Sequence, residues 1–149
     1  MRRLTICSIA ASLSLAVVAA AHEHSKDLPE GPIRTRHELM EGVGKNAKII
    51  GDAMKAGDFA KISVPANAIA EAAKRVPYLF PEGSEHPKSR AKPEIWKTPD
   101  AFALEAQKLE TTAAALAKAA EEQKNVPQAA KEMFGTCKSC HDKYRIPED

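Results

Sequence analysis

The sequence predicts an all-α protein, an antiparallel four-helix bundle, on three observations. Aromatic residues make up only 5% of the 149 positions, β-branched runs are short, and no stretch alternates apolar and polar residues with period two. Apolar residues instead recur three, four or seven apart, the spacing of one helix face. Proline and glycine divide the chain into four such segments with two short links and one long one, which suits antiparallel neighbours.

The first helix is expected from about Ile33 to Ala56, with an apolar stripe of Ile33, Met40, Val43, Ala47, Ile50 and Met54. Gly57 ends it, because glycine takes the left-handed conformation that closes a helix. The second is expected over Ser63 to Val76, with Ser63 as N-cap and Pro65 in the first turn. Asp58 to Ile62 adds an earlier turn, and Pro77 stops the helix. Tyr78 to Lys97 is the long connection, kept irregular by Pro81, Gly83, Pro87 and Pro93. Thr98-Pro99-Asp100 caps and opens a third helix that runs to about Lys124 and is rich in Ala, Glu and Lys. Asn125-Val126-Pro127 breaks the chain, and the fourth helix runs from Pro127 to about Tyr144.

Residues 1–21 read as a cleaved secretory signal peptide: Arg2 and Arg3, a mostly apolar stretch from Leu4 to Ala20, and Ala19-Ala20-Ala21 as an A-x-A-like cleavage site. The rival reading is an uncleaved anchor, but the apolar run is short for a membrane span. Residues 22–32 are expected as a loose N-terminal arm and 33–149 as one domain. Cleavage would leave 128 of 149 residues and remove two of 22 basic residues and none of the 20 acidic ones, so the mature chain balances at 20 against 20. With no basic excess and few aromatics, nothing favours a nucleic-acid partner. After cleavage no membrane association is expected. His22-Glu23-His24 would then put an imidazole at position three, a pattern that chelates Cu(II), although a plain flexible arm is the simpler reading.

Cys137-Lys138-Ser139-Cys140-His141 reads C-x-x-C-H, the attachment motif of a c-type haem. Two thiols add across the porphyrin vinyl groups, and the adjacent histidine offers an imidazole nitrogen to the iron. A thioredoxin-like redox pair would want a βαβ context, and a zinc site would want a second ligand pair. Neither is present in the sequence. Cys7 belongs to the signal peptide, so the haem motif uses both remaining cysteines. Alanine on the inward faces of the third and fourth helices suits a bundle that splays around a large planar ligand.

Three segments together resemble the class II cytochromes c, best known from cytochrome c′. They are Cys137 to Arg145, Pro93-Glu94-Ile95-Trp96 followed by a helix with Phe102, and Arg36 with Met40 four residues on. The resemblance spans roughly Ile33 to Ile146 and implies an up-down-up-down bundle around one covalently bound haem c. It implies Cys137 and Cys140 as thioether attachments and His141 as proximal ligand. Arg145 would be a cation beside the proximal side, and Arg36 would reach a haem propionate. His37 stands where relatives often have Gln. Met40 falls where the family faces the distal side of the iron. A thioether there resembles the low-spin branch, as does Phe80-Pro81-Glu82-Gly83-Ser84. Read from periodicity alone, Met40 is a core residue of its stripe. Met133 is expected to pack in the bundle, and His86 to be solvated in the long connection.

The function implied is a periplasmic electron-transfer protein, not an enzyme, with His141/Met40 ligation and with redox proteins as partners. The alternative is a five-coordinate cytochrome c′ that binds nitric oxide or carbon monoxide, with Met40 only a distal wall. Lys88, Arg90, Lys92, Lys138 and Lys143 would form a cationic rim for an acidic partner, or stand as ordinary solvated charges. A homodimer through the first two helices is also implied by the resemblance.

Overall fold

The computed structural model describes residues 28–147. The expected signal peptide, the His22 and His24 pair and most of the N-terminal arm lie outside the described residues. The four long helices are α1 (Pro32–Ala56), α2 (Ser63–Arg75), α3 (Pro99–Glu122) and α4 (Val126–Tyr144). A 3-10 turn, Phe59–Lys61, links α1 to α2, and a second, Val76–Leu79, carries the chain past Pro77 into the long connection. That connection also holds a one-turn helix, Glu94–Lys97.

The helix ends follow local chemistry. Gly57 closes α1 at φ 69° and donates its N–H to the carbonyls of Ala53 and Met54. Gln123 and Asn125 both take left-handed backbone, at φ 52° and 56°, and so turn α3 back into α4. Ser63 is not the N-cap of α2. Ile62 occupies that position with its carbonyl accepting from Ala66 N–H at 3.0 Å, and the Ser63 hydroxyl bonds Glu121 of α3 at 2.6 Å. Thr98 does precede α3, but its hydroxyl donates back to the Glu94 carbonyl at 2.8 Å and caps nothing.

The helix α3 is the hub of the bundle. It packs along α2 on one side and α4 on the other, while α1 packs along α2 and has no extended seam with α4. That explains a difference from the expected α1 stripe. The buried positions are Arg36, Leu39, Ile50 and Ala53, whereas Met40, Val43, Ala47 and Met54 are only partly buried. A helix flanked on one side leaves part of its apolar face open.

Two apolar clusters divide the interior. One joins Ile50, Ile62, Ile69, Leu116 and Met133 with a bed of alanines from α2, α3 and α4. Alanine lets helix backbones approach closely. The other sits at the end of α4, where Leu39, Val76, Ile95, Phe102, Ala106 and Tyr144 are buried and Met40, Phe80, Trp96 and Cys140 pack against them. There Phe102 lies edge-on to Phe80 at 4.9 Å and to Tyr144 at 5.1 Å. Leu28, from the expected loose arm, is buried, and its carbonyl accepts from the Arg34 guanidinium at 2.6 Å.

Candidate haem-attachment site

The last turns of α4 present Cys137, Cys140 and His141. Spacings of three and four place them on one helical face. Both cysteines are free and partly buried. Burial pushes the Cys137 thiol up, and burial with the nearby Glu105 carboxylate pushes Cys140 up to about 11. Both therefore stay protonated at neutral pH. His141 moves the other way. Loss of water contact lowers it, and the charges of Arg145 and Arg90 lower it further. A neutral imidazole keeps a lone pair for a metal.

Arg145 thus stands where its charge acts on the imidazole. Arg90 acts there too, although the sequence placed it only on the cationic rim. A single antiparallel bridge explains why. Ala91 pairs with Arg145, Ile146 N–H donates to the Arg90 carbonyl at 2.7 Å, and Lys92 N–H donates to that of Tyr144 at 2.9 Å. These partners lie more than fifty positions apart, and no local sequence pattern signals the pairing.

Met40 joins the aromatic cluster that Cys140 also packs against. Met133, in contrast, is fully buried in the alanine-rich cluster, as expected. One turn before Met40, Arg36 is 5% exposed. Its guanidinium donates to the Leu79 carbonyl at 3.4 Å, to the Ser84 hydroxyl at 3.0 Å, to the Ser84 carbonyl at 2.9 Å and to the Ser89 hydroxyl at 3.0 Å. Its Cζ lies 4.7 Å from the Phe80 ring centre and 5.7 Å from that of Trp96, within cation–π range. The donors that the resemblance would give to a propionate are directed at the long connection. His37 Nε2 stands 3.3 Å from Glu41 of its own helix. The Nδ1 of His86, in the connection, accepts from Lys88 N–H at 3.2 Å.

Sequence reading missed Glu105. It is only 4% exposed, and accepts from Lys143 at 2.7 Å and Lys108 at 3.1 Å. The hydrogen bond from Lys143 holds its carboxyl below the usual range, against the opposing effect of burial. The rim is partly neutralised by such pairs, Lys143 with Glu105 and Lys138 with Asp142, while Lys92 Nζ donates to the Asp142 carbonyl.

The donor set fits a covalently held haem. It offers two protonated thiols and a neutral imidazole on one helical face, beside an aromatic cluster able to cover a flat apolar ring. Among the described residues no group of three or more His, Cys, Asp or Glu side chains gathers to hold a metal ion, which disfavours the zinc reading. Those residues also contain no βαβ unit, which the redox-pair reading needs.

The comparisons agree with that fit. The family described as "Cytochrome C'" matches residues 31–145. A cytochrome c′ of Rhodospirillum rubrum is 31% identical over 97% of this chain and 99% of its own length. A cytochrome c-554 of Cereibacter sphaeroides is 38% identical, covering 78% of this chain and 93% of that protein. A cytochrome c-556 of Agrobacterium fabrum is 34% identical, covering 78% and 82%. Among solved structures, cytochrome c′ from Thermochromatium tepidum aligns with a TM-score of 0.73 at 27% identity, covering 80% of this chain and 100% of its own. The chain belongs to the cytochrome c′ family, whose proteins bind one covalently attached haem c, with its iron, per chain.

Proposed function

We propose that Cys137 and Cys140 carry the haem through thioether bonds, that His141 is the proximal ligand and Met40 the sixth, and that the protein is an exported electron carrier of the periplasm. The observation that carries this reading is the place of Met40. It is partly buried, in the cluster shared with Cys140 at the α4 end of the bundle. When bound, the haem supplies the one-electron chemistry. The chain's part is to hold the ligands, to lower the His141 pKa through partial desolvation and the Arg145 and Arg90 charges, and to exclude water with Phe80, Phe102 and Tyr144. A thioether is a neutral soft donor and favours reduced iron.

The second reading is a five-coordinate protein that binds nitric oxide or carbon monoxide, with Met40 as distal wall. The names of the family and its relatives support it better than the first. The family description and the R. rubrum relative both say cytochrome c′, and none of the names fixes a sixth ligand. Under either reading the lysines near the end of α4 would meet redox partner proteins. A homodimer through α1 and α2 is supported by exposed Ile49 and Val64, at 49% and 79%. A neighbour with 27% identity and a TM-score of 0.71 is described as having ligand-controlled dimer dissociation.

Carbon monoxide binding to the ferrous protein separates the two readings. With Met40 bound, association is slow and its rate saturates with carbon monoxide concentration, because the thioether must leave first. Fast binding that rises linearly with concentration would move the protein to the gas-binding reading.

A further inference from the structure

The helices bearing the two axial positions, α1 with Met40 and α4 with His141, have no extended seam with each other. Besides the two apolar clusters they share, the connection over residues 79–92 links them. From Leu79 to Ser89 it is fastened to α1 by four hydrogen bonds from Arg36 and by the stacking of that guanidinium on Phe80. At the other end it is fastened to α4 and its C-terminal extension. The Ala91–Arg145 bridge, the Arg90–Ile146 pair of bonds and Lys92 Nζ on the Asp142 carbonyl at 2.9 Å make that fastening.

We propose that residues 79–92 form a strap that sets the distance between the two ligand-bearing helices, and that Arg36 is the positioning residue that holds it. The inference rests on the reading of Met40 as sixth ligand. Charge-assisted hydrogen bonds of a buried guanidinium are strong and directional, so the position of α1 over the iron follows the position of the strap. Arg36 lies one helical turn before Met40, and a shift at the strap is transmitted through that single turn. This role is distinct from a propionate contact. It needs the hydroxyls of Ser84 and Ser89 as well as Arg36, and it needs the fastening at Lys92.

The test uses the holoprotein and three variants: Arg36→Gln, Ser84→Ala with Ser89→Ala, and Lys92→Met. The readouts are the carbon monoxide association rate of the ferrous form and the high-spin fraction of the ferric form. The serine variants remove only hydroxyls and the lysine variant a half-buried ammonium, and helicity by circular dichroism checks the fold of each should Arg36→Gln prove unstable. The strap account expects every variant to speed carbon monoxide binding. Arg36→Gln is expected to do so by about tenfold, the ratio that about 1.4 kcal/mol produces, and the serine pair by at least about threefold. Combining Arg36→Gln with the serine pair should add little, because both release the same fastening. The proposal is overturned if Arg36→Gln speeds binding while the serine pair and Lys92→Met stay within twofold of wild type. That pattern marks a propionate or purely local role. The wild-type ferric spectrum reports separately on Met40. If it is high-spin, that ligand reading fails, and the strap is judged by the association rates alone, on the same thresholds.

Discussion

At one end of the bundle Ile50, Ile62, Ile69, Leu116 and Met133 are fully enclosed by alanine-rich helices. At the other, Met40, Phe80, Trp96 and Cys140 are only partly buried around Phe102 and Tyr144. The first end is completed by the chain itself. Small residues on α2, α3 and α4 let three helices close on one another, and aliphatic side chains fill what remains. The second end is built of large rings and lies beside both candidate ligands, with Met40, Phe80, Trp96 and Cys140 partly buried at its edge. Under the proposed attachment at Cys137 and Cys140 a haem would cover the partly buried residues there, which would link stability at that end to haem more than at the other.

The largest expected effect breaks this contrast directly. Cys137→Ala with Cys140→Ala should lower the melting temperature by more than about 10 °C, the equivalent of a few kcal/mol in a domain this size. Amide exchange should show protection lost first at Leu39 and Phe102 and retained longest at Ile69 and Leu116. Equal melting of the apo and holo forms, or uniform loss of protection, would refute the division into two ends. Next in size is Leu116→Ala, which opens a cavity in the alanine-rich end and should cost about 3 kcal/mol. Denaturant unfolding would measure that cost, and the haem spectrum should stay unchanged. Phe102→Leu should cost less, about 1–2 kcal/mol, yet it should shift the Soret band.

Glu105 sharpens the comparison from the charged side. Lys143 and Lys108 hold its folded pKa below the ordinary value. A depressed carboxylate adds stability that is present above the unfolded pKa, about 4.3, and is lost as pH falls through the folded value. Glu105→Gln should cost about 1 kcal/mol at pH 7 and should flatten the fall of stability below about pH 4. An unchanged acid limb in a pH series of thermal melts would show that the pair carries nothing. The smallest effect concerns Lys138, paired with Asp142 on the surface. Lys138→Gln should leave the melting point unaltered while reducing the ionic-strength dependence of electron transfer to an acidic partner.

Contiguous chemistry was the legible part of the sequence. The C-x-x-C-H motif, the glycine stop at Gly57 and the break before Pro127 all depend on neighbouring residues, and all appear where periodicity and turn chemistry put them. The hydroxyl caps were not legible. Ser63 and Thr98 had competing acceptors at Glu121 and Glu94 that local pattern does not reveal. The α1 stripe follows from periodicity, but how deeply each position is buried does not, because α1 has a helical neighbour along one flank only. The groups that complete the site come from afar. Arg36 meets Ser84 across 48 positions, and Glu105 meets Lys143 across 38. Polar partners at that separation leave no periodic trace, so only the folded chain brings them together.

The central claim is that Met40, at the aromatic end, is an iron ligand and not a core filler. The ferric optical spectrum of wild type beside Met40→Leu tests it most directly, because leucine keeps the volume and apolarity of the site and removes only the sulfur donor. The account predicts a low-spin wild type with the weak far-red band of thioether–iron ligation, and a variant that keeps its helicity, turns high-spin and loses that band. A wild type that is already high-spin, with a spectrum the substitution leaves unchanged, would contradict it.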